Sequence, residues 1–296
     1  MVNFYIKRLF RIAPLFYAVV VLTILRNFLV RDIVPPAEDV LANLTFTFNL
    51  FPGKQDSLVF AGWTIGVEML FYLVFPIFFV VLRGIAAKVL AFGIACLAFP
   101  ALLFALGNTS LPAALQNRYA LLTLIHYLPV FLLGMIAFDL FNGLHARGAS
   151  WRTGAAFLVA GALVFTAHVG GTLVDPVFAQ AFWQGASYML LLLGLAFCPV
   201  RILVNRATRF LGLISYSVYL LHGPVILLIN RPVYPRIYAL DLPIWAKFAL
   251  CFAVTLAVTL CVSWLAYRVV ERPGIALGRR LIAARGQRSR LAVQPG

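Results

Sequence analysis

One carboxylate, Glu68, is the only formal charge in an apolar run that opens at Gly62 and Trp63 and stops at Arg83. A run of that length crosses a bilayer. A carboxylate inside hydrocarbon costs roughly 2.5–3.5 kcal/mol even on the lenient insertion scale, so it needs a polar partner or a chemical task. Trp63 and Tyr72 lie near it at helical spacing. Two histidines also sit inside apolar runs close to a proline. His126 lies in Leu124-Ile125-His126-Tyr127-Leu128-Pro129, and His222 follows the hydroxyls of Ser215, Tyr216, Ser217 and Tyr219 and precedes Pro224. That proline frees a backbone carbonyl on the same helix. Counted inward from the helix ends at 1.5 Å per residue, Glu68, His126 and His222 all lie roughly 10 Å below the outer surface. We therefore expect a polar pocket on the outer side. Glu68 and His222 are its candidate catalytic acid–base groups. Trp63, Tyr72, His126, Ser215, Tyr216 and Tyr219 are its candidate lining, although His126 reads equally well as a histidine satisfied within the bundle.

A second constellation opens the chain. Arg8 and Arg11 are three residues apart and share a helix face, with Lys7 beside them and Pro14 following. Paired guanidiniums suit bidentate phosphate binding, which makes them candidate donor-binding residues. A positive anchor at the inner interface accounts for them as well. At the far end, Tyr267 to Pro273 closes the last spanning helix. Glu271 has arginine neighbours there and reads as an interfacial salt-bridge cluster, with Pro273 ending the helix.

These groups must be positioned by membrane helices. Hydrophobic residues make up 63% of the 296 and charged residues 11%, and the mean hydropathy is +0.98. A soluble domain has about 45–50% apolar and about 25% charged residues. The fold class is therefore all-α, a polytopic bundle of about eight transmembrane helices at roughly 13–31, 62–82, 88–106, 120–141, 154–170, 178–198, 210–229 and 244–267. Residues 38–51 are too polar to span and are expected as a loop or interfacial segment. The net charge of +15 does not point to nucleic acid, because the charge sits in short loops and at the C-terminus. Most of the 24 Lys and Arg residues fall on one side, which puts both termini in the cytoplasm. The expected domain is a single membrane-embedded unit over residues 1–296, with 273–296 a basic cytoplasmic tail attracted to anionic lipid.

The four cysteines, Cys96, Cys198, Cys251 and Cys261, show no CxxC spacing, so neither a metal site nor a disulfide framework is expected. No signal peptide, nucleotide loop, nucleophile elbow or HExxH motif is present. The residues alone thus describe a membrane bundle with a Glu/His pocket outside and a phosphate-capable cationic face inside.

Four segments, in order, resemble the acyltransferase 3 family of integral-membrane O-acyltransferases. Phe4-Tyr5-Ile6-Lys7-Arg8-Leu9-Phe10-Arg11-Ile12-Ala13-Pro14 is similar to its "FYxRRxxRIxP", and Gly62 to Tyr72 to its "SWTLSVEEQFYL". Leu213 to Pro224 is similar to its "SYSLYLxHxP", and Tyr267 to Pro273 to its "YRxIERP". The resemblance implies transfer of an acyl group, usually acetyl, from acyl-CoA to a hydroxyl of a surface or extracytoplasmic carbohydrate. It implies an integral membrane protein of the bacterial inner membrane, with acyl-CoA as co-substrate and no cofactor. Carried over, Arg8 and Arg11 would hold the donor's phosphates, and Glu68 and His222 would line the transfer pocket. Two positions depart from the pattern: Gly62 stands for Ser, and Met69 for the second Glu. Two helices that usually begin the family, the first bearing an Arg and a His, are not in this sequence. That leaves a competing expectation, a non-catalytic relative acting as a glycolipid carrier or structural membrane subunit.

Overall fold

The computed structural model describes residues 1–175 and 181–291, the last five of these without side chains. Among the described residues there are helices and no strands. The helices are α1 (Val2–Arg31), α2 (Ala37–Leu44), α3 (Trp63–Val81), α4 (Gly84–Gly107), α5 (Ala113–Leu121), α6 (Leu124–Ala146), α7 (Trp151–Val169), α8 (Phe182–Phe197), α9 (Arg206–Ile229), α10 (Tyr234–Tyr238), α11 (Ile244–Ala266) and α12 (Arg272–Leu291). A π turn, Tyr267–Glu271, joins α11 to α12 without a break. Seven helical stretches among the described residues are long and apolar enough to cross a membrane. The chain is thus an all-α polytopic membrane bundle.

Three expectations change. The span expected at 178–198 is α8, with 16 helical residues and a length of about 24 Å, short of the roughly 30 Å hydrocarbon core. Residues 178–180 of that span lie outside the described residues. The helix that carries the first span, expected over roughly 13–31, extends back to Val2, with Pro14 inside it. Pro273 likewise does not stop the last helix, and the basic segment that follows is helical to Leu291. In a regular α-helix a proline ring clashes with the carbonyl four residues back. The wide turn just before Pro273, in which the Arg272 N–H donates to the Tyr267 carbonyl five residues back, is where that clash is absorbed.

The described residues form two compact units. One holds Met1–Phe48, Asp56–Gly66 and the chain from Phe210 onward. Its centre is aromatic, with Phe16 stacked near Phe46 and Phe48 at 5.0 and 6.3 Å between ring centroids. The connection between α2 and α3 is pinned by Asn43, whose Oδ1 accepts from Ser57 Oγ at 2.6 Å and from the Leu58 N–H at 3.1 Å. The turn that follows leaves no space at Gly62, where a Cβ would lie 2.6 Å from Ser57 Oγ and 2.9 Å from the Val59 carbonyl. Glycine in place of the family's serine therefore fits this turn. At the other end of the unit, α12 lies against α1 through Gly274 and Gly278, a small-xxx-small pair. A Cβ at Gly274 would sit 2.7 Å from the Pro14 ring, and one at Gly278 2.8 Å from Phe10 Cβ.

The second unit holds Asn49–Gln55 and Val67–Arg209. α7 and α8 approach closely at Gly154, Gly161 and Gly194, each covered by the opposing helix or the residues just after it. Phe71 of α3 stacks on Phe131 of α6 at 3.9 Å, and Lys88 of α4 is paired with Asp139 of α6 at 2.6 Å.

The close approach of α1 and α12 has a direct check. Gly274→Ala and Gly278→Ala should each cost about 1–3 kcal/mol through overpacking, seen as a lowered midpoint of thermal unfolding in detergent. Gly93→Ala, where nothing lies within 4 Å of the added carbon, should be neutral or stabilising. Equal effects at all three positions would show that the two helices are not in tight contact.

Candidate functional site

α9 carries most of the site in the first unit. Ser217, on its buried face, donates through Oγ to Glu271 Oε2 at 2.8 Å. Ser217 is 0% and Glu271 1% exposed. The Arg11 guanidinium acts electrostatically on the same carboxylate. One residue earlier on α9, Tyr216 donates to the Ile12 carbonyl of α1 at 2.7 Å, the carbonyl of the residue beside Arg11. Glu271 therefore does not form the interfacial cluster with its chain neighbours that the sequence suggested. Arg268 turns away and lies over the Trp264 ring at 5.1 Å, while Arg268 and Arg272 are both exposed.

Where α12 crosses α1, Lys7, Arg8, Arg11 and Arg279 line a cleft of about 340 Å³ with Phe4, Phe10, Ile275 and Gly278. The Arg8 guanidinium lies over the Phe4 ring at 5.5 Å. Four cations around one cleft repel each other unless an anion joins them. Guanidiniums bind phosphate and carboxylate oxygens in pairs. The volume falls within the range of small-ligand sites, roughly 300–1,000 Å³.

Further along α9, the His222 Nδ1 is 2.5 Å from the Tyr219 carbonyl. A carbonyl only accepts, so Nδ1 carries the hydrogen and the neutral ring keeps its lone pair on Nε2. The ring meets Phe60 edge to face at 5.7 Å, and Gly223 beside it leaves no room for a Cβ against Phe60. Tyr219 closes the arrangement. Its hydroxyl accepts from Thr64 Oγ1 at 2.6 Å and donates to the Ala61 carbonyl at 3.0 Å, which ties α9 to the first turn of α3. Trp63 opens α3 and is half-buried. Ser215 does not join this group: it is exposed, and its hydroxyl bonds the Gly212 carbonyl of its own helix at 2.9 Å.

Glu68 and His126 belong to the second unit. Glu68 accepts a hydrogen bond from the Tyr72 hydroxyl one turn on, and Tyr72 packs on the cluster around Phe71, Ala95 and Leu132. His126 is buried with its ring 4.7 Å from Phe99 and 4.6 Å from Tyr127. Among the described residues no hydrogen bond joins Glu68 to His126, and His126 Nδ1 has no hydrogen-bond partner. No cluster of His, Cys, Asp and Glu that could hold a metal occurs among the described residues.

The profile of the acyltransferase 3 family, described as an acyltransferase domain, matches residues 1–268. The chain belongs to the acyltransferase 3 family. No curated protein and no solved structure shows significant similarity to it. Membership makes it a membrane acyltransferase in general terms. Three of the family's four motifs meet in one place here: Arg11 from the first, Ser217 from the third and Glu271 from the fourth. The second motif joins the third through Thr64 and Tyr219.

Sequence reasoning missed Glu271 and Ser217 as partners, and Arg279 as part of the cleft. The signal for Arg279 was present in Gly274 and Gly278, whose four-residue spacing marks a helix that packs closely. The two pocket-lining candidates on α9 should now behave differently. Tyr219→Phe removes a half-buried hydroxyl with two partners and should cost about 1–2 kcal/mol. Ser215→Ala should stay within about 0.5 kcal/mol of the parent. Thermal unfolding of the purified protein measures both, and equal costs would refute the assignment.

Proposed function

We propose that the chain is an O-acyltransferase that moves an acyl group, acetyl foremost, from cytoplasmic acyl-CoA to a hydroxyl of an extracytoplasmic or cell-surface carbohydrate. The observation that carries this reading is the cleft of Lys7, Arg8, Arg11 and Arg279. A CoA carries a diphosphate and a 3′-phosphate, and this cleft offers three guanidiniums and an ammonium at one end of a membrane bundle. The bias of Lys and Arg between the two sides supports a cytoplasmic position for that end.

In the transfer, the thioester C–S bond breaks, a C–O bond forms to the acceptor, and the proton lost by the acceptor hydroxyl ends on the departing CoA sulfur. A base must take that proton. His222 has the right form for it, with Nδ1–H held by the Tyr219 carbonyl and Nε2 left to accept. It stands five residues along α9 from Ser217, about 7.5 Å along the axis, so one helix carries both the partner of Glu271 and the imidazole. Glu68, its carboxylate oriented by Tyr72, is the second acid–base group of this reading.

The test uses the protein in nanodiscs with labelled acetyl-CoA and candidate glycans. Arg8→Ala with Arg11→Ala should raise the donor KM about tenfold or more while the protein still inserts. His222→Asn keeps a donor for the Tyr219 carbonyl but removes the base, and should lower kcat about 10²-fold with the donor KM unchanged. Unaltered donor affinity in the double arginine variant would reduce that pair to a topology anchor and remove the support for this reading.

A further inference from the structure

α11 turns its large apolar side chains, among them Phe248, Phe252, Leu256 and Trp264, outward. What it buries is polar: its buried residues are Cys251, Thr259 and Ser263, and Glu271 follows in the π turn. With Thr255 and Tyr267, these recur every fourth residue from 251 to 271, along a single i±4n ridge of the helix. At one end of the ridge Thr255 donates to the Cys251 carbonyl at 2.7 Å, so the Tyr234 hydroxyl, 2.8 Å away, donates to Thr255. At the other end Glu271 is held by Ser217.

Between these ends lie two hydroxyls that differ from Thr255. Thr259 is 3% and Ser263 0% exposed, and neither Oγ has a hydrogen-bond partner among the described residues. A helical Thr or Ser ordinarily returns its hydroxyl to the carbonyl four residues back, as Thr255 does here. A buried hydroxyl left without any partner bears its full desolvation cost. Two of them side by side, in line with a buried carboxyl, call for a third party that both accepts and donates. Successive positions on the ridge rise about 6 Å along the axis. One water at its near-tetrahedral angle spans roughly 4.6 Å with hydrogen bonds of about 2.8 Å, so each gap takes two waters in line. Buried waters sit at such places, with about three hydrogen bonds each.

We propose that the ridge of α11 holds a file of ordered water that links the Tyr234 end of the helix to Glu271 and gives that carboxyl a route for protons through the bundle. Each water accepts a hydrogen bond from one neighbour and donates to the next. A proton added at one end then emerges at the other by exchange of O–H bonds, with no redox partner and no net movement of water. The file is independent of the acyl-transfer reading, since it needs neither donor nor acceptor.

The test is water-edited solid-state NMR on the full chain in lipid, with ¹³C-labelled Thr, Ser and Leu. Magnetisation from water should reach the Cβ atoms of Thr259 and Ser263 far faster than the side chain of Leu220, which is 0% exposed and apolar. Thr259→Val keeps the shape but removes the hydroxyl, and it should lower the unfolding midpoint by about 4 °C because bridging water loses its partner. Build-up as slow as at Leu220 would show that both hydroxyls fold back onto their own helix, and the proposal would fail. An unchanged or raised midpoint in Thr259→Val would overturn it as well.

Discussion

A carboxylate with 1% of its surface exposed cannot be left alone in a membrane protein, and Glu271 is such a group. Its carboxyl accepts from a hydroxyl of another helix, Ser217, and lies in the positive field of Arg11. Much of the first unit follows from that requirement. The carboxylate sits on the last residue of a π turn, and π turns inside long helices often mark functional sites. Beyond the turn, α12 continues along α1 through Gly274 and Gly278 and carries Arg279 to the face that bears Lys7, Arg8 and Arg11. A shift of the turn would move Arg279 with it. The cationic cleft is therefore a consequence of how one acidic group is buried.

α9 is the element through which the rest is held. Along one helix, Tyr216 reaches α1, Ser217 reaches the π turn, and Tyr219 reaches the start of α3. His222 uses the carbonyl of Tyr219 for its own orientation. Tyr219 thus serves two ends at once: its side chain fixes the connection between α2 and α3, and its backbone fixes the imidazole tautomer. That connection is itself tightly specified. Ala61, whose carbonyl receives Tyr219, has φ of 58°, a strained value for a residue with a Cβ. Such strain persists only where surrounding bonds overdetermine the backbone, and the bonds from Tyr219 at Ala61 and from Ser57 to Asn43 do so here.

The helices were legible because hydropathy alone selects them when no water is available to satisfy a broken backbone. The Arg8–Arg11 pair was legible for the same reason that it is visible on a helical wheel, since residues three apart share a face. Glu271 was misread because its nearest cations in sequence are Arg268 and Arg272, and sequence distance says nothing of a serine 54 positions away. Pro273 was read as a boundary, and Pro14 also proves to lie inside a helix. A proline inside a helix is tolerated where the freed carbonyl finds a neighbour or the turn widens, and both depend on packing. Ser215 shows the converse: it lies among functional-looking hydroxyls, yet the 100° step between residues places it outside while Ser217 goes in.

The claim on which this account rests is that Ser217 and Glu271 act as one joint. A double-mutant cycle on unfolding free energy, with Ser217→Ala, Glu271→Gln and the pair together, measures it directly. A hydrogen bond to a buried carboxyl predicts a coupling of about 1 kcal/mol or more, with the double variant less destabilised than the sum of the singles. Additivity to within about 0.5 kcal/mol would show that the two residues are merely near each other, and the account of the turn, of α12 and of the cleft would lose its foundation.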